Sequence, residues 1–198
     1  MRSVHLAIAV LSVIGFSCSI EGPNHEIENI MYLNISDEDN EYYFEGSDVN
    51  ESKTFIADIK ENDDHIEYLS QCTSLLPQGT LNLTVRFIQT APEDAQELEP
   101  LELTLGTYTN SKMSEDLTFA FAHTDVDGVT WECCVDGSPE NNIENKITIQ
   151  QIEPYHSKVD GTTKQLITMS FEATMINSEG QMKSLNGHMK SIVEGQLP

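Results

Sequence analysis

The amino-acid sequence predicts an all-β protein, an antiparallel β-sandwich after an N-terminal signal segment, built either as one continuous sandwich or as two packed β modules. Three observations carry that expectation. Apolar and polar residues alternate with a period of two, most clearly at Leu81, Leu83, Val85 and Phe87 with Asn82, Thr84 and Arg86 between them. That period is the mark of a strand with one buried face. Turn signals such as Asp127-Gly128 and Asn177 to Gly180 cut the chain into roughly ten short strands, which suits a sandwich. No apolar run requires an amphipathic helix.

The first element is the signal, residues 1–17. Arg2 is followed by an apolar run from Leu6 to Phe16 and then by Ser17, Cys18 and Ser19. A run of about 7 to 15 apolar residues suits export, whereas roughly 20 are needed to cross a bilayer as a helix. Cys18 closes the run and precedes a polar, acidic stretch, a junction that resembles the lipoprotein signals of bacteria. Gly15 departs from that motif, which usually has an aliphatic residue three places before the cysteine. The resemblance implies lipidation at Cys18, with residues 18–26 as a tether. Two acyl chains give stable anchoring where one is marginal. Ordinary cleavage after Ser19, with Ser17 and Ser19 as the small pair, is the alternative and would leave a secreted protein.

The strands follow in order. Short ones are expected near Met31 to Ile35, Tyr42 to Glu45, Phe55 to Ile59 and Ile66 to Cys72, and a long one over Leu81 to Phe87. An acidic loop between Pro92 and Pro100, with room for one helical turn, leads to an alternating strand at Leu101, Leu103 and Leu105. Leu117, Phe119 and Phe121 make the next strand, and Val129, Trp131, Cys133 and Val135 the one after it. Ile147 and Ile149, then Ile167 to Met175, precede a return from Met182 to Val193 that Asn186-Gly187 is expected to break. If there are two modules, they are residues 27–123 and 124–198.

Charge narrows the partners. The chain has a net charge of −23, and 27 acidic against 4 basic residues lie between Ser19 and Glu140, whereas Asn141 to Pro198 has 6 against 5. Such a surface repels phosphate backbones and anionic headgroups. Nucleic acid is therefore excluded as a partner, and the membrane is reached only through a lipid anchor. The plain reading of the acidity is hydration of an exported protein.

Cysteine use is informative because an exported chain meets an oxidising compartment. Cys72, Cys133 and Cys134 remain after the signal. On a strand, Cys133 shares a face with Trp131 and Val135, while Cys134 points the other way. Cys133 is thus the expected disulfide partner of Cys72, with Cys134 as the alternative, and the bridge would contribute about 2 to 4 kcal/mol.

Candidate chemistry is sparse. Asp125 and Asp127 before Gly128 resemble the start of a calcium loop, but the acidic residue about twelve places on that would complete an EF-hand is missing. Turn formation accounts for both. His25, His65, His123, His156 and His188 lack ligand spacing. Among 33 acids some pair must fall at a hydrolase-like separation, so carboxylates alone do not indicate an enzyme. A cleft with two carboxylates and no basic partner would. Tyr42, Tyr43, Tyr108 and Tyr155 could supply a stacking platform for a sugar or peptide, with one of the adjacent pair Tyr42 and Tyr43 turned to the core. No catalytic residue, cofactor motif or phosphate loop is present in the sequence.

Two stretches resemble a known group. Cys72, Leu75, Leu76, Pro77, Leu81, Leu83 and Arg86, followed by Trp131, Asp136 and Gly137, are similar to elements of envelope lipoproteins from Bacteroidota-type bacteria that carry β-sandwich modules of the polycystic-kidney-disease (PKD-like) type. The usual Phe-Gly after the tryptophan is replaced here by Glu132, Cys133, Cys134 and Val135. The segment from Met169 to Val193 resembles the closing strands of small lipoproteins of that group. The resemblance implies a β fold and an outer-membrane location, on the periplasmic or the surface face, but no activity. The expected function is therefore a lipid-anchored, non-catalytic binding or structural module that meets an envelope protein or glycan. The rivals are a secreted carboxylate-dependent hydrolase and a calcium-stabilised adhesion module.

Overall fold

The computed structural model describes residues 31–37, 40–46, 48, 53–62, 64–90, 101–133 and 145–195. The signal, Cys18, the tether, the acidic loop from Pro92 to Pro100 and Cys134 lie outside the described residues. Eleven strands account for most of what is described: β1 (Met31–Asp37), β2 (Asn40–Gly46), β3 (Lys53–Glu61), β4 (His65–Leu76), β5 (Gly79–Thr90), β6 (Gly106–Thr109), β7 (Leu117–Thr124), β8 (Thr130–Cys133), β9 (Lys146–His156), β10 (Thr163–Asn177) and β11 (Met182–Val193). The protein is all-β, and every pairing is antiparallel.

The strands form one sheet in the order β2-β1-β11-β10-β8-β7-β5-β4-β3, with β9 pairing β10 and β6 pairing β9. Strands from before and after residue 123 share this sheet and a single hydrophobic core, and β7 runs across that position. The sheet folds over on itself. Five strand steps separate β11 from β4, about 24 Å along the sheet, yet Ser70 Oγ donates to Ser191 Oγ at 2.9 Å in the interior. The two layers so formed enclose the core.

Alternation explains which side chains fill it. Met31, Leu33 and Ile35 on β1, Leu81 to Phe87 at odd positions on β5, Phe119 and Phe121 on β7, and Met169, Phe171 and Met175 on β10 are all buried. Phe121 lies at the centre, edge-on to Phe119 with ring centroids 5.6 Å apart and tilted against Phe171 at 5.3 Å.

Two local expectations are corrected. Leu101 and Leu103 are buried, but residues 101–104 pair with no strand. Their backbone is held instead by a side chain, since Gln165 Nε2 donates to the Leu101 carbonyl at 3.0 Å. The strand begins only at Gly106, as the short β6, where Asn110 and Ser111 then take positive φ and turn the chain. The second correction is that β11 runs unbroken through Asn186-Gly187. Gly187 is there because nothing larger fits: a Cβ would come within 2.5 Å of both the Asn34 carbonyl oxygen and Cζ of Phe171, whose ring covers the gap. Gly187→Val is therefore expected to lower stability by about 1 to 3 kcal/mol through overpacking, a loss that chemical denaturation would measure and that a value near zero would contradict.

Candidate functional site

The inward positions stop being apolar at one end of the sandwich. Along β1 the inward series is Met31, Leu33, Ile35 and then Asp37, and on β10 it is Phe171, Ala173, Met175 and then Asn177. On β11 the series Met189, Gly187, Leu185 ends at Lys183, and on β7 Phe119 and Phe121 give way to His123, with Asp125 just beyond the strand. Trp131 stands between the β10 and β7 series, opposite His123 on one side and Asn177 on the other. Neighbouring strands thus place polar side chains in one row around a mouth between the hairpin turns.

The mouth is a depression of about 400 Å³ lined by Asp37, Asn40, Asp125, Trp131, Gln181, Met182 and Lys183. Lys183 is its centre. Its ammonium lies 3.5 Å from Asp37 Oδ2, 3.4 Å from Asp125 Oδ2 and 4.4 Å from the centroid of the Trp131 ring. The three charged side chains are only 11–15% exposed, so water screens them less than it would surface pairs. An ammonium over an indole face gains about 0.5 to 2 kcal/mol from the ring quadrupole.

Asp125 is fully engaged by the protein. Its Oδ1 accepts the backbone N–H groups of Asp127 at 3.1 Å and Val129 at 2.9 Å. Its Oδ2 accepts Trp131 Nε1–H at 2.8 Å and faces Lys183. Burial pushes this carboxyl up, but the hydrogen bonds from Trp131 and Val129, together with Lys183, outweigh it and hold the group below the ordinary carboxylate range. The turn that follows, closed by Gly128 N–H to the Asp125 carbonyl at 3.0 Å, has Gly128 at φ 81°, where glycine is favoured.

His123 sits beneath this row, 1% exposed. Its Nδ1 lies 3.0 Å from the Asn82 carbonyl, which requires that nitrogen to carry the proton. Burial, and then Lys183, push its basicity down, so the ring is neutral near pH 7 and Nε2 is left as a buried acceptor with no protein partner among the described residues. Tyr42 is half-buried against the core and stacked with Phe44. Burial raises its hydroxyl above the ordinary value, and Asp37, Asp125 and Asp127 add to that.

The residues singled out from the sequence fare differently. Asp125 and Asp127 do share a turn, but the Asp125 oxygens are turned to protein donors and to Lys183. No group of three or more His, Cys, Asp or Glu side chains is arranged to hold a metal among the described residues. Cys72 and Cys133 are both buried on inward faces, Cys133 beside Trp131 as expected, but no bridge joins them. In register Cys133 pairs with Phe121, Phe121 with Val85 and Val85 with Ser70, so the two cysteines stand on strands three steps apart and not on neighbouring ones. A disulfide needs Cα atoms within roughly 7 Å.

The tyrosines make no platform. Tyr43 points outward, 57% exposed, and bonds Glu45. Tyr108 on β6 donates to the Thr104 carbonyl at 2.9 Å, and Tyr155 on β9 donates to Asp48 Oδ1 at 2.9 Å, tying the β2–β3 connection to the end of β9. Each serves its own neighbourhood. Sequence reasoning missed Asn40, Gln181 and Lys183. The available signal was the polar residue that ends each inward apolar series, legible only when several strands are aligned in register. No family model, curated protein or solved structure matches the chain.

Proposed function

We propose that this chain is a bacterial envelope lipoprotein, tethered through Cys18, whose β-sandwich acts as a non-catalytic binding module with the mouth around Lys183 as its binding face. One observation carries the binding part: a row of inward positions on adjacent strands gives up apolar burial for Asp37, Lys183, Asp125, Trp131 and His123, all at one end. Ionisable side chains taken partly out of water cost free energy unless paired, so their collection around a concave site favours recognition over simple packing. The pairing also bears on catalysis. The carboxylates of the depression share a basic partner, and the four hydrogen-bonding contacts of Asp125 leave it no lone pair for acid or base work.

The anchor rests on the cysteine that closes the apolar run. In cells fed an alkyne fatty acid, the mature protein is expected to label and to partition with membranes, and Cys18→Ser is expected to lose both properties. Equal labelling of wild type and variant, or a mature N-terminus at Ile20 without acyl groups, would overturn the tether.

A further inference from the structure

We infer that β2 is a docking edge, and that its partner is an extended basic segment which adds to the sheet as a further strand. β2 pairs with β1 over all seven of its residues, from Asn40 opposite Asp37 to Gly46 opposite Met31, with no bulge. Its other side pairs with no strand among the described residues, and β3 comes close to it without pairing. An edge of this kind offers a row of backbone N–H and C=O groups to another chain.

Proteins guard such edges with short strands, bulges, proline or lysine, and the other edges described here have those guards. β6 is four residues long. Where β9 runs on past β6 its register shifts beside Gln151, and it then carries Pro154, which has no N–H to give. β3 has Lys60 between Asp58 and Glu61. β2 has neither lysine nor proline. It carries charge of one sign instead. Glu41 and Glu45 are exposed on its outer face with Tyr43 between them, whereas Phe44 is buried and Tyr42 half-buried on the inner face.

That pattern selects the partner. A second copy paired antiparallel about Tyr43, residue for residue, would set Glu41 against Glu45 twice, and like charges directly opposite are destabilising. The charge of −23 on each copy adds to the repulsion. An acidic strand is refused on the same ground, which is specificity through a repulsive element. A strand with Lys or Arg opposite Glu41 and Glu45 gains at both positions, and apolar residues opposite Tyr42 and Phe44 extend the inner face by one strand. The field of the whole chain also draws a basic segment in.

The test uses the full mature protein and three capped peptides. The first is Thr-Lys-Val-Thr-Val-Lys-Thr, the second has glutamate in place of both lysines, and the third keeps the lysines but has proline in place of the central threonine. By calorimetry the lysine peptide is expected to bind about tenfold tighter than the glutamate peptide, with ¹H–¹⁵N shifts centred on the amides of β2 and β1. The proline peptide keeps the charge but cannot complete the ladder, and is expected to bind no better than the glutamate peptide. Glu41→Lys together with Glu45→Lys should reverse the order of the first two peptides with an unaltered unfolding midpoint, since both side chains are exposed. Asp58→Lys on β3 should leave that order as it is. Equal binding of the lysine and proline peptides would reduce the effect to charge attraction without strand addition and overturn the inference. Binding that survives the β2 variant but is lost in Asp58→Lys would place the docking edge on β3 and overturn it as well. So would the absence of any binding by the lysine peptide, or a dimer of the wild type that protects the β2 amides from exchange.

Discussion

Phe121→Ala is expected to cost about 3 to 5 kcal/mol, about a fifth or more of the roughly 5 to 15 kcal/mol that holds a domain of this size folded. The ring is 1% exposed and meets Phe119 and Phe171. Its place in the sheet makes the loss larger than buried area alone would suggest. Among the described residues, β7 is joined to β10 only through the four residues of β8, and β8 pairs with β10 at two positions, Glu132 with Ile176 and Trp131 with Asn177. The Phe121–Phe171 contact therefore closes on the inner side a seam where the hydrogen-bond ladder is thinnest. Denaturant unfolding should show a lower midpoint with the slope maintained. A loss below about 1 kcal/mol would mean that this seam is held by something other than the aromatic cluster.

Lys183→Met keeps the length and apolar stem of the side chain and removes its charge. The expected loss is about 2 kcal/mol, less than the 3 to 5 kcal/mol for a fully buried pair because the two carboxylates retain some exposure. Its sign with pH follows from Asp125, whose carboxyl is held below the ordinary range in the folded protein. A depressed carboxyl contributes stability above its unfolded value, and that contribution disappears as pH falls through the folded value. Lys183 is one of the groups that depress it, so the deficit of the variant should be full near pH 7 and should shrink in acid. Asp37→Asn in the same chain should recover part of the loss, because one of the two uncompensated charges is then gone. A deficit that is independent of pH would assign the effect to packing.

Much of this architecture is legible in the sequence, because a period of two in the apolar residues is a direct consequence of side chains alternating across a strand. Ten strands are read from it, and inward Cys133 and the opposite facing of Tyr42 and Tyr43 follow from the same rule. Where the reading fails, a longer-range interaction decides. Leu101 and Leu103 alternate like a strand but are fixed by Gln165 from β10. Gly187 looks like a break but is the one residue that fits under Phe171. The expected Cys72–Cys133 bridge fails because strand order, which no local pattern encodes, separates the two. The mouth escapes for a related reason: Asp37, Asn177 and Lys183 each read singly as a polar strand end running into a turn. Only the pairing of β1 with β11, and of β10 with β11 and β8, shows that they face one another.

The assembled mouth is tested most directly by the single indole N–H resonance, followed by ¹H–¹⁵N spectra from neutral to acid pH. The account predicts a peak displaced by the hydrogen bond to Asp125 that stays in place through the ordinary carboxylate range and moves only below it. In Lys183→Met the same transition should occur at higher pH. A peak at the position of a solvated indole, or one that titrates at the ordinary carboxylate value in both proteins, would contradict the charged row on which the binding face is built.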